Sequence, residues 1–263
     1  MQVPKCVKQH SFELESEVTE ELEKIIEHYN SVKNYIYSRY SGIKSLLLIQ
    51  NPRKNIRDLL MKNEFAAQWK LPARYWKMAL DEAVTNIKTG WSNTKLRTKR
   101  AVYQNENITK NERHFILYVL KADQILYAIL NREPFHKPNK LKDLEIREKY
   151  VFNLIRRYIR KYKGNIPYTN SRTFSLDADM YNYTEKDVLY INLMGLKRGK
   201  RIKVKLRDRN IHQGNLRIVL RNNSLEVHKE CEMPPFKPMQ ISKVKQICKV
   251  LGDQEVIASP WVA

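Results

Sequence analysis

The stretch GLKRGKRIKVKLRDRN, residues 195–210, decides how the chain is read. Ile202, Val204 and Leu206 alternate with Arg201, Lys203, Lys205 and Arg207. That period of two belongs to a half-buried strand, with an apolar face inward and a face of cations outward. Lys197, Arg198, Lys200 and Arg209 extend the basic run, and Asp208 is its one acid. Like charges two residues apart on a strand lie roughly 6.6 Å from one another. In water each such pair costs about 0.6 kcal/mol before screening. A solvated edge strand protected by lysines explains such a face, and so does neutralisation by acids across the sheet. The next run, NLRIVLR (215–221), adds Arg217 and Arg221 and neutralises nothing, whereas SLEVHKE (224–230) offers Glu226 and Glu230. The reading favoured here is a face that binds a polyanion.

The whole chain agrees with that charge. Its 263 residues carry a formal net charge of +21, a surplus that marks a nucleic-acid partner before a membrane surface. An apolar share of 42%, with fifteen Tyr and four Trp, excludes a disordered chain. Cys6, Cys231 and Cys248 form no C-x-x-C pair, so neither a disulfide framework nor a zinc knuckle is indicated. MQVPKCVKQHSF lacks the apolar core of a signal peptide, and LLLI (46–49) is far too short to span a bilayer. An intracellular, soluble protein with no membrane partner is expected.

Working outward from 195–210, a helical half precedes a strand half. SFELE in residues 1–14 has Phe12 and Leu14 at period two, a weak strand signal. A long amphipathic helix follows, with Leu22, Ile25, Ile26, Tyr29, Val32, Ile36 and Tyr40 on one stripe and Thr19 or Ser16 as the expected N-cap. Helical patterns recur near 52–70, 72–102, 109–131 and 138–163, the third opened by the capping box Thr109–Glu112. Gly164 and Pro167 close the helical part. From Thr173 come TFSLDADMY, DVLYINLM, RIKVKL, LRIVL and LEVHKE, joined by turn-rich links, and Gly252–Asp253 suits the turn of a last hairpin.

This order resembles the N-terminal half of the TnpB (OrfB) proteins of insertion sequences, relatives of the type V CRISPR effector nucleases. The stretches that carry the resemblance are FELESEVTEELEKIIEHYNSVKNYIYSR, LPARYWKMALDEAVTNIKTGWSN, and GLKRGKRIKVKL to LRIVLRNNSLEVHKE. It implies an α+β fold in which a helical recognition domain is inserted in a small oligonucleotide-binding-like β-barrel, the wedge domain. Residues 1–14 would be the barrel's first strand, 15–165 the recognition domain, 170–235 the further strands and 236–263 a C-terminal hairpin of the same barrel. It also implies a guide-like RNA partner, a double-stranded DNA target and a cytoplasmic, prokaryotic setting. Family members continue into a RuvC nuclease that begins with a G-I-D-x-G-like strand; this chain stops near that point, so the nuclease is expected to be absent.

No catalytic set emerges from the residues, and no cofactor is expected. The six histidines are scattered with no i, i+4 pair, and Asp177 with Asp179 reads as a turn or solvated pair more readily than as a two-metal site. The expected nucleic-acid contacts are therefore basic. They are Lys197, Arg198, Lys200, Arg201, Lys203, Lys205 and Arg207 on the strand run, and Arg156, Arg157, Arg160 and Lys161 among Tyr158, Tyr162 and Tyr168. Lys95, Arg97, Lys99 and Arg100 in WSNTKLRTKRAVYQ (91–104) complete them. Cations hold phosphates while aromatics stack bases, though Tyr158 and Tyr162 also suit plain helix packing. Three classes of function follow: a nucleic-acid-binding protein without activity of its own, part of an RNA-guided endonuclease whose RuvC half is separate, or a stand-alone DNA-binding regulator.

Overall fold

In the computed structural model, residues 4–63, 65–142 and 144–232 are described. The expected hairpin over 236–263 and the side chain of Glu230 lie outside them. The chain divides into two units, Met1–Val7 with Glu230–Ala263, and Lys8–Lys229; apart from the ends of the first and last strands, the second carries everything that follows.

Strand β1 (Pro4–His10) leads into helix α1 (Ser16–Tyr40). The N-cap of α1 is Glu15, whose side chain makes no cap, so neither Thr19 nor Ser16 fills that role. Short 3-10 and π turns around helix α2 (Asp58–Lys62) replace the single helix expected over 52–70. Helix α3 (Ala73–Gln104) starts directly after Pro72, whose fixed φ suits a helix entry. The Thr109–Glu112 capping box forms at the head of α4 (Lys110–Val119).

Two expected helices are each broken, for tertiary reasons. Helix α5 (Asp123–Asn131) restarts after an extended Ala122. Asp123 takes an ion pair from Lys95 on α3 and a hydrogen bond from Gln50, which pins the new helix start. Likewise α6 (Asn139–Lys142) and α7 (Glu148–Tyr162) are separate, because Arg147 between them is clamped to Glu112. The Arg147 Nε and Nη2 atoms donate to the two carboxylate oxygens at 2.8 and 2.9 Å, and the Arg147 N–H adds a third bond at 3.2 Å. That buried carboxyl is held down to a pKa of about 2, chiefly by the guanidinium bonds.

The strand half is β2 (Thr173–Leu176), β3 (Tyr181–Glu185), β4 (Leu189–Met194), β5 (Arg201–Lys205), β6 (Leu216–Arg221) and β7 (Ser224–Glu232). They form two small antiparallel sheets, ordered β1-β7-β6-β2 and β3-β4-β5. The run 173–181, which reads as one strand, divides between the two sheets. Asp177 and Asp179 turn the chain there, with the Asp177 carboxylate accepting the Asp179 N–H at 3.0 Å and Arg74 bridging both side chains.

The N-terminal strand thus pairs with a strand more than two hundred residues away, and the helices lie between them in sequence. Its continuation also touches the other sheet: Ser11 bridges Leu206, and Phe12 N–H donates to Lys205 O at 3.0 Å. Among the described residues neither sheet closes into a barrel.

An aromatic cluster joins helices to strands. Phe174 of β2 meets Tyr75 of α3 at 5.7 Å and Tyr29 of α1 at 6.4 Å between ring centres, and all three are fully buried. Beside it Glu82 accepts bonds from Lys33 (2.6 Å) and Tyr29 (2.9 Å), with only 4% of the lysine side chain exposed. Burial and the nearby carboxylate push the Tyr29 hydroxyl well above its ordinary pKa. Asn30 and Asn34 of α1 fasten the connector from α7 to β2 through Ser171 and Thr169.

Candidate nucleic-acid interface

Along β5 burial alternates as its sequence does: Ile202, Val204 and Leu206 are buried, and Arg201, Lys203, Lys205 and Arg207 are exposed. The register sets Tyr190 opposite Lys205, Asn192 opposite Lys203 and Met194 opposite Arg201. On β3, Thr184 and Asn182 extend the same rows. Two rings therefore flank the cations. The Lys203 Nζ sits 4.2 Å from the centre of Tyr190, and the Lys205 Nζ 4.8 Å from that of Phe12, a side chain 41% exposed. Among the described residues no carboxylate pairs with Lys203, Lys205 or Arg207. Arg201 and Arg207 donate to main-chain oxygens, those of Met180 and Ser11, both at 3.0 Å, and the Arg207 guanidinium also lies 5.8 Å from the centre of Phe12.

Of the neutralising acids expected one strand further on, Glu226 acts elsewhere. Glu226 pairs with Arg221 of β6 at 3.4 Å and with His228 at 2.8 Å, which holds its carboxyl below the usual range. The acids near β5 come instead from the segment joining β1 to α1 and from the first turns of α1. Glu13, Glu15, Glu17 and Glu21 line a cleft of about 490 Å³ together with Phe12, Tyr190, Lys200, Arg201, Lys203 and Lys205.

Several expected contact residues are committed within the protein. Lys200 pairs with Glu21 at 2.6 Å, and that bond raises its pKa. Glu21 also receives the Leu196 N–H at 3.3 Å, and a Cβ on Gly195 would come within 2.9 Å of its carboxylate, so this acid seats the β4–β5 turn. Lys95 is paired with Asp123. Arg156 donates to Ile129 O (2.8 Å) and Asn153 (2.9 Å), closing the end of α5; burial, with Arg132 and Arg160 nearby, depresses its pKa.

The expected contact residues that stay exposed and, among the described residues, unpaired with a carboxylate fall in two regions. One is Lys197 and Arg198 in the turn with Arg201, Lys203, Lys205 and Arg207 on the strand. The other is Arg97, Lys99 and Arg100 of α3 with Arg157, Arg160 and Lys161 of α7, helices that pack together through Thr94 and Tyr162. Tyr158 and Tyr162 are half-buried, 6.2 Å apart, and Tyr158 accepts a bond from Asn105, so both serve helix packing while Tyr168 stands in solvent. The structure does not merge the regions. The Tyr75 hydroxyl bonds Met194 O at the sheet, and Arg97 lies 22 residues further along α3, about 33 Å away.

Tyr190 and the carboxylates of the cleft carry no site reading in the sequence, and Phe12 reads there only as a strand residue. Tyr190 carried a signal, because in LYINLM it falls on the outward positions of the alternation. Among the described residues no three His, Cys, Asp or Glu side chains gather as a metal site, and no helix is long and apolar enough to cross a membrane. No protein-family model matches the chain, and no curated protein matches it.

Proposed function

We propose that the chain binds nucleic acid, with the outward face of β5 as its principal phosphate contact. The observation that carries this reading is the row Arg201, Lys203, Lys205 and Arg207. It is exposed, unpaired with carboxylates among the described residues, and backed by Tyr190 and Phe12. A solvated edge strand needs no such company: β5 is the last strand of its sheet, yet its cations stand beside Tyr190 and Phe12, and the segment after β1 caps its end at Lys205 and Arg207. The cations of α3 and α7 would supply a second contact. The separation of about 33 Å along α3 corresponds to about ten nucleotide steps at 3.4 Å each, so only an extended ligand spans both.

The finer reading rests on the resemblance to TnpB: a helical recognition domain set into an open wedge-like barrel, holding a guide-like RNA and reading a target duplex. The pairing of β1 with β7 and the link from Ser11 to Leu206 support that topology. In such an assembly base pairing would read sequence while the protein reads backbone shape. Sequencing the nucleic acid that co-purifies with the chain tests this. A defined RNA species supports it, whereas a chain that purifies free of RNA yet binds DNA duplexes tightly points to a DNA-binding regulator.

A further inference from the structure

The cleft beside β5 is lined by both cations and carboxylates, and a duplex, with phosphates on both strands, has no use for that mixture. Accepting the proposed function, we infer that this cleft takes a single strand of nucleic acid, its phosphates on Lys203 and Lys205, its bases on Phe12 and Tyr190, and that the carboxylates of its lining turn a second strand away.

The geometry is that of a short stacking platform. Tyr190 on β4 and Phe12 after β1 flank Lys205 from either side. Two strand spacings put the rings about 10 Å apart. The cleft, about 490 Å³, matches the size of pockets that hold one drug-sized molecule, hence one or two nucleosides and no duplex. In the unbound protein the lysines rest on the rings. An exposed contact of that kind contributes only about two- to fivefold to an equilibrium. A base stacked on an aromatic ring contributes about fivefold to 150-fold. An incoming base therefore displaces the ammonium, which then meets the phosphate that arrives with it.

Glu13, Glu15 and Glu17 of the lining are exposed and have no ion-pair partner among the described residues. They accept bonds from the amino and imino edges of bases and repel phosphates. A single strand lying with its backbone on the cations meets both preferences. A duplex would bring its second backbone toward the carboxylates.

The test is fluorescence anisotropy on the whole chain at physiological ionic strength. The probes are single strands of about twelve nucleotides, ribose and deoxyribose, and the matching duplexes. The expected results are tighter binding of both single strands than of the duplexes, and a loss of at least about tenfold for single strands alone in the F12L/Y190L variant. The E13Q/E15Q/E17Q variant, altered only at exposed positions, should bind duplex more tightly and narrow the gap. Equal or tighter duplex binding by the unaltered chain overturns the inference, as does full single-strand affinity in F12L/Y190L with its circular dichroism intact. If K203Q/K205Q weakens both forms while the ring variant changes nothing, the inference falls and the proposed function stands. If K203Q/K205Q changes neither form, both fall.

Discussion

Replacing Glu112 with Gln removes a charge from a place where α4, α7 and the connector between α6 and α7 are tied together. Glutamine can still complete the capping box, so the change isolates the charged bonds to Arg147. The carboxyl falls from an ordinary 4.5 to about 2 in the folded protein. At 1.36 kcal/mol per unit that difference is worth about 3 kcal/mol, and water around Arg147, 57% exposed, brings the expectation to about 2 kcal/mol. A carboxyl with a depressed folded pKa stabilises fully above its unfolded value, and the gain is lost as pH drops toward the folded value. The gap between native chain and E112Q should therefore be complete at pH 7, begin to shrink near pH 5 and close towards pH 2. Urea denaturation of both proteins across that range reads it directly. A gap that stays constant with pH would show that the clamp acts through shape and hydrogen bonding, and the electrostatic account would be wrong.

Two further outcomes follow from the helical half. Lys33→Met should cost about 3 kcal/mol by denaturant unfolding because it strands the Glu82 carboxylate, whereas Lys33→Met with Glu82→Gln, which keeps an acceptor for the Tyr29 hydroxyl, should cost only about 1–2 kcal/mol; equal losses in both would contradict this. Asn34→Ala removes the reciprocal pair of bonds with Thr169 and should cost about 1–2 kcal/mol, seen as faster amide exchange at Thr169 with little change at the buried strand residue Ile218.

The two halves of the molecule were unequally legible. The alternation over 201–206 gives β5 and its two faces directly, because the inward residues are all apolar and the outward ones all cationic. The Thr109–Glu112 box is equally local, two side chains three residues apart. What the sequence hides is the second partner. Glu112 reads as a cap and nothing more until Arg147, thirty-five residues on, arrives by tertiary packing and breaks the expected 138–163 helix. The same holds for 109–131, where the apolar spacing runs through the break and only Lys95 and Gln50 mark it.

At the candidate site, the register that sets Tyr190 against Lys205, and the crossing that brings Phe12 and Glu13 alongside, join segments separated by as much as 193 residues in the numbering. A single sequence carries no signal for such pairs. The acids nearest β5 accordingly come from the segment before α1 and from the start of α1, and not from the neighbouring runs in sequence.

The most direct test of the account is the salt dependence of RNA binding by the native chain and by K203Q/K205Q. Each phosphate contact on a single strand adds about 0.7 to the slope of log affinity against log salt. The account predicts a weaker variant whose slope is lower by about 1.4, with unfolding behaviour unchanged because Ile202, Val204 and Leu206 keep their buried face. An unchanged affinity and slope in a folded K203Q/K205Q would mean that the cations of β5 touch no phosphate, and would contradict it.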